Sequence, residues 1–140
     1  MRRVYNRHVI QRYAKNAGAV FTLKFHLVWC PKYRRPVLVG PVEKRLVQLL
    51  RQIAGDLEAT IHALEVMPDH VHLFLESDPT RSVAELVNRF KGRTSHDLRS
   101  EFPALRSRLP TLWSRSYYAG SCGAVTEASV RRYIEGQKGK

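Results

Sequence analysis

From Phe21 to Trp29 the chain alternates, with Phe21, Leu23, Phe25, Leu27 and Trp29 on one face and Thr22, Lys24 and His26 on the other. That two-residue period predicts a half-buried strand. Pro31 and Pro36 bracket a basic turn, after which the period changes. Val42, Leu46, Leu49, Leu50, Ile53 and Leu57 recur at helical spacing, which predicts an amphipathic helix opened by Pro41 and ending about Glu58. Ile61 to Met67 and His70 to Glu76 read as two strands joined by a Pro68-Asp69 turn, an antiparallel hairpin. Ser82 and Glu85 have capping-box spacing ahead of a helix striped by Val83, Leu86, Val87 and Phe90, which Gly92 is expected to end. Thr94 to Phe102 reads as a further short helix stopped by Pro103, and Leu112 to Ala119 as a fourth strand. Thr126 caps a last helix running to about Gln137, with Val125 and Val130 placed as a hydrophobic staple.

This order of elements describes an α+β fold, a four-stranded antiparallel sheet with helices on one face, like the ferredoxin and RNA-recognition folds. At 140 residues with 44% apolar content, one domain can close its own core without a metal or disulfide staple. Residues 1–18 read as a basic N-terminal extension. Residues 126–140 read as a C-terminal helix hinged on Gly120 and Gly123. Cys30 and Cys122 have no neighbours at zinc-finger spacing, which fits a reducing compartment. Neither a signal peptide nor a membrane span is evident, so a cytoplasmic protein without membrane partners is expected.

Charge adds the first functional inference. The formal net charge is +12 and the pI about 10.3, which implies a polyanionic partner, because clustered Lys and Arg release the counterions condensed on a phosphate backbone. Lys32, Tyr33, Arg34, Arg35, Lys91, Arg93 and Arg115 are the candidate nucleic-acid contacts. Aromatic residues among such cations suit stacking on unpaired bases. A solvated cationic surface over core aromatics is the plainer alternative.

Two pairs of residues carry candidate chemistry. His70 and His72 are two apart on a strand, so their imidazoles share a face and spring from positions ~6.6 Å apart along it. Both can reach one metal ion, although a bare His-x-His also fits two half-exposed polar residues on an amphipathic strand. Tyr133 and Gln137 are four apart on the last helix and therefore share a face; alone, such a Tyr beside Ile134 is more often a packing residue. A basic domain bearing both pairs holds the parts for nucleophilic attack on a phosphodiester.

Five ordered segments then make the chain recognisable: His26 to Arg35, Met67 to Leu73, Phe90-Lys91-Gly92, Leu112 to Tyr118 and Tyr133 to Gln137. Together they closely resemble the small single-tyrosine transposases of bacterial and archaeal insertion sequences, in the HUH superfamily of histidine, hydrophobic residue, histidine. The resemblance implies that Tyr133 is the nucleophile and that His70, His72 and Gln137 hold a divalent metal ion, Mg²⁺ or Mn²⁺. It implies single-stranded DNA with end hairpins as substrate, and a homodimer with exchanged C-terminal helices. Such an enzyme would be cytoplasmic and nucleoid-associated, and its phosphotyrosine would conserve the bond energy needed for rejoining. A domesticated hairpin-nicking relative and a noncatalytic single-strand-binding module remain the alternatives.

Overall fold

A computed structural model of the chain describes residues 22–121 and 125–140. The expectations for the N-terminal extension, Phe21, Cys122 and Gly123 lie outside the described residues. The elements follow in the order β1 (Leu23–Trp29), α1 (Gly40–Asp56), β2 (Thr60–Met67), β3 (His70–Ser77), α2 (Val83–Glu101), α3 (Pro103–Arg108), β4 (Tyr118–Ser121) and α4 (Glu127–Glu135). A turn of 3₁₀ helix, Lys32–Arg34, follows β1. All pairings are antiparallel and the sheet order is β2-β3-β1-β4, so the fold class is the one the periodicity predicts.

The core lies on one face of the sheet. Phe25, Leu27 and Trp29 from β1 and Val71, Leu73 and Leu75 from β3 pack against Leu46, Leu49, Leu50 and Ile53 of α1 and Leu86, Val87, Phe90 and Leu98 of α2. β3 alternates over His70–Leu75 as the pattern requires. β1 departs from it at both ends, with Leu23 exposed at the sheet margin and Val28 buried on the face opposite Leu27 and Trp29, and β2 carries a bulge between Ile61 and Ala63. Among the described residues no helix is long and apolar enough to cross a membrane.

Two boundaries and one hinge differ from the sequence reading. Gly92 does not end a helix: α2 runs unbroken to Glu101. A mid-helix glycine costs only ~1 kcal/mol, and the buried stripe continues past it through Thr94 and Leu98. The Thr94 hydroxyl donates to the Phe90 carbonyl (2.7 Å) and accepts from Trp113 Nε1 (3.0 Å). Pro103 does end α2, because the residue before a proline is pushed out of the helical region, and Phe102 lies at φ −127°, ψ 86°. The same proline then occupies the first turn of α3, where its missing N–H costs nothing.

The expected strand Leu112–Ala119 is interrupted. Trp113 forms an isolated bridge with Pro31, and Ser114 N donates to the Cys30 carbonyl (2.9 Å). Lys91 Nζ then takes the carbonyls of Ser114 (2.7 Å) and Ser116 (3.1 Å), and regular pairing resumes only at Tyr118. Gly120 belongs to β4 opposite His26 rather than to a free hinge. A Cβ there would lie 2.5 Å from Val125 Cγ2, so glycine serves close approach at this point. The cap on α4 is as expected in part: Thr126 accepts from Ser129 N (3.0 Å) and Ser129 Oγ completes a capping box.

Candidate active site

The pleat of β3 sends Val71, Leu73 and Leu75 into the core and leaves His70 and His72 on the opposite face, half-buried. His70 Nδ1 is 2.9 Å from Asp69 Oδ1. A carboxylate only accepts, so the His70 proton is on Nδ1 and its Nε2 is the free nitrogen. His72 Nε2 lies 2.9 Å from Nδ1 of His26, a residue of β1. The His26 ring stacks on Phe74 with centroids 4.4 Å apart. Burial lowers the pKa of His26. Burial first, then the neighbouring His26, lowers that of His72, favouring the neutral form in which imidazole binds metals. The sequence reading placed His26 on the polar face of β1 but not in the site. That shared polar face was the available signal.

Tyr133 and Gln137 come together around one serine, although the helix ends at Glu135 and Gln137 lies in the turn beyond it, its backbone N–H donating to the Ile134 carbonyl (3.0 Å). Ser116 Oγ donates to Gln137 Oε1 (3.0 Å) and lies 3.0 Å from Tyr133 Oη. With the serine proton directed to the amide, the phenol is the donor to Ser116. Burial raises the Tyr133 pKa, so the phenol is held protonated. Gln137 is buried, with Ser114 Oγ 3.5 Å from the same amide oxygen. Ser114 and Ser116 are partners the sequence reading did not single out.

The two pairs are not brought together within one chain. His26, His70 and His72 line one wall of a cleft of about 680 Å³, and α4 supplies another wall through residues such as Val130 and Ile134. Tyr133 and Gln137 are absent from that lining. Among the described residues no group of three or more His, Cys, Asp or Glu is placed to hold a metal ion.

The candidate nucleic-acid contacts divide in two. Tyr33 is exposed, with Lys32 Nζ 5.1 Å and Arg35 Cζ 5.8 Å from its ring centroid; Arg35 and Arg115 are exposed. The other three have intramolecular partners. Arg34 pairs with Asp69 (3.2 Å), Arg93 with Asp56 (3.0 Å), and Lys91 holds the Ser114 and Ser116 carbonyls, with burial lowering its pKa to about 8.

The family model described as "Transposase IS200 like" matches residues 19–137. The chain is 38% identical over 128 residues to the ISDra2 transposase TnpA of Deinococcus radiodurans, covering 90% of this chain and 91% of that protein. It is 32% identical over 116 residues to the transposase for insertion sequence element IS200 of Salmonella typhimurium, covering 81% and 76%. A crystal structure from D. radiodurans, assigned as a transposase, superposes with a TM-score of 0.82 at 38% identity, covering 90% of this chain and 98% of that one. A REP-associated tyrosine transposase bound to a REP hairpin shares the fold, with a TM-score of 0.55 at 14% identity over 81% of this chain and 62% of that one. By sequence over nearly its whole length and by fold, the chain belongs to the IS200-like transposase family.

Proposed function

We propose that this transposase cleaves and rejoins single-stranded DNA at insertion-sequence ends through a 5′-phosphotyrosine on Tyr133. The observation that carries the reading is the cleft in which His70 and His72 stand side by side opposite the helix bearing the tyrosine. The strand wall is rigid because its other face is core. The basic surface draws in a phosphate backbone.

The two imidazoles suit a divalent cation, Mg²⁺ or Mn²⁺, and Gln137 of a second copy is the third donor that the cleft lacks. Such a cation supplies charge stabilisation at the scissile phosphate. Tyr133 Oη attacks the phosphorus, its proton leaves, and the P–O3′ bond breaks. The products are a 5′-phosphotyrosine and a strand ending in a 3′-hydroxyl. Attack by another 3′-hydroxyl reverses the step and joins strands without a nucleotide cofactor. The Tyr133–Ser116 hydrogen bond must break first, since it holds the phenol proton away from the cleft. Because Tyr133 does not line its own chain's cleft, a homodimer with exchanged or mutually docked α4 helices completes two sites. The substrate is single-stranded DNA with end hairpins, met at the nucleoid in the cytoplasm.

The test incubates the protein with labelled single strands from its own element's ends and Mn²⁺. The wild type forms an adduct that survives denaturing electrophoresis, and Tyr133→Phe forms none while still binding the hairpin. Mixing Tyr133→Phe with the His70→Ala, His72→Ala double variant restores one site per heterodimer. An adduct that persists in Tyr133→Phe excludes this nucleophile, and a verified heterodimer without activity excludes sharing between subunits.

A further inference from the structure

The cleft has a strut that neither the charge pattern nor the histidine pair accounts for. Asp69 ends the β2–β3 turn with both carboxylate oxygens occupied: Oδ1 accepts from His70 Nδ1 (2.9 Å) and Oδ2 lies 3.2 Å from Arg34 Nε. From the same guanidinium, Nη1 donates to the Ile134 carbonyl (3.1 Å), in the last turn of α4. One planar fork therefore bridges a carboxylate beside the histidine pair and the carbonyl end of the tyrosine helix. The side chains of Arg34, Asp69 and His70 are only 26%, 28% and 17% exposed, so the chain of contacts is poorly screened by water. Helix C-terminal carbonyls carry partial negative charge and favour a guanidinium there.

The backbone supports a dedicated placement. Tyr33 and Arg34 adopt φ 60° and 53°, two consecutive residues with side chains in the left-handed region, where Cβ crowds the following carbonyl. Such strain persists where surrounding contacts hold it. Here the 3₁₀ turn directs Arg34 back over the hairpin while the Leu38 amide donates to the Pro68 carbonyl (3.0 Å) and fixes the hairpin tip.

We infer that Asp69 and Arg34 are positioning residues, a strut that fixes the proton of His70 on Nδ1, presents its Nε2 to the cleft, and ties that orientation to the docking of whichever α4 packs on this cleft, the chain's own as in this structure or that of a second copy where the helices are exchanged. Carboxylates in this place orient metal-binding histidines and raise their basicity, and their loss costs 10–100-fold in metal affinity. Lysine cannot replace Arg34, because an ammonium has no planar fork to span both acceptors. The inference rests on the transesterification reading only for its consequence at the metal; the proton position and the helix tie stand on geometry.

The test uses the full-length protein with ¹⁵N-labelled histidine at pH 8, comparing wild type, Asp69→Ala and Arg34→Gln. Long-range ¹H–¹⁵N spectra should place the wild-type His70 proton on Nδ1 and move it toward Nε2 in Asp69→Ala. Arg34→Gln should shift it in the same direction by less and should speed hydrogen exchange at the Gly136 and Gln137 amides. Mn²⁺ titration should show ~10–100-fold weaker binding in Asp69→Ala. Should Asp69→Ala not fold, the Arg34→Gln spectrum and exchange rates decide alone. A His70 proton that stays on Nδ1 in every folded variant, or unchanged exchange at Gly136 and Gln137 in Arg34→Gln, overturns the strut. These shifts in a protein that forms no DNA adduct would support the strut and overturn transesterification, whereas adducts with an unmoved proton would do the reverse.

Discussion

The two faces of β3 answer to different demands. On one, Val71, Leu73 and Leu75 are fully buried against α1 and α2. On the other, His70 and His72 are only partly covered and held by polar neighbours, Asp69 and His26. Residues one apart in sequence thus belong to a core and to a cleft. Stability comes chiefly from the first face, so the second is free to carry groups that fit poorly in a protein interior. The division should be separable by mutation.

The largest contrast is between His70→Ala, His72→Ala and Leu73→Ala. The histidine variant should lose at least ~10³-fold in cleavage, the several kcal/mol a bound cation supplies, with nearly unchanged thermal unfolding. Leu73→Ala should cost about 2–5 kcal/mol of stability, read from urea unfolding, and keep cleavage at temperatures where it remains folded. If the histidine variant unfolds and the leucine variant does not, the two faces have been assigned the wrong way round.

A smaller effect follows from the lowered pKa values of His26 and His72. Unfolded histidine titrates near 6.5, above the folded groups, so below that pH the unfolded chain binds more protons. Their contribution is complete above about pH 6.5 and is lost as pH falls toward the folded values. Urea midpoints measured between pH 8 and pH 5 should decline below 6.5, and less so in a His26→Phe, His72→Phe variant. An identical decline in that variant would assign the titration elsewhere.

Salt dependence sharpens the corresponding division among the cations. Neutralising exposed Arg35 or Arg115 should lower the log–log salt slope of single-strand binding by ~0.7 for each phosphate that the side chain had neutralised. Neutralising Arg93, paired with Asp56 and Asp97, should leave the slope unchanged and alter stability by no more than ~1 kcal/mol. The smallest effect is expected at Gly92→Ala. Nothing lies within 4 Å of the new Cβ, so the helix gains about 0.5–1 kcal/mol, seen as a higher melting temperature.

Period and punctuation alone located β1, the β2–β3 hairpin, α1 and α4, because each is marked locally, β1, β3 and α1 by a buried stripe, the hairpin by its Pro68-Asp69 turn and α4 by its Thr126 cap. Reading Gly92 as a stop failed because a local cost was outweighed by burial of Leu98 and by the Thr94 hydrogen bonds with Phe90 and Trp113, the latter distant in sequence. The break before β4 was hidden for the same reason: Lys91, more than twenty residues away, competes for the strand's carbonyls. In the site, the spacing of His70 with His72 and of Tyr133 with Gln137 was legible. Their holders were not. His26 reaches His72 across 46 positions and Arg34 reaches Ile134 across 100, and no periodicity reports such pairings.

The β2–β3 connection is only Pro68 and Asp69, and it sets the parity of everything after it. Strand side chains alternate, so a shift of one residue moves a whole strand's set to the other face. A single-residue insertion here would leave composition and both histidines intact, yet turn His70 and His72 toward the core and Leu73 toward the cleft. Over evolutionary time the length of this turn should be held at least as tightly as Asp69, whose carboxylate meets both His70 and Arg34, while exposed Pro68 is the position left to drift.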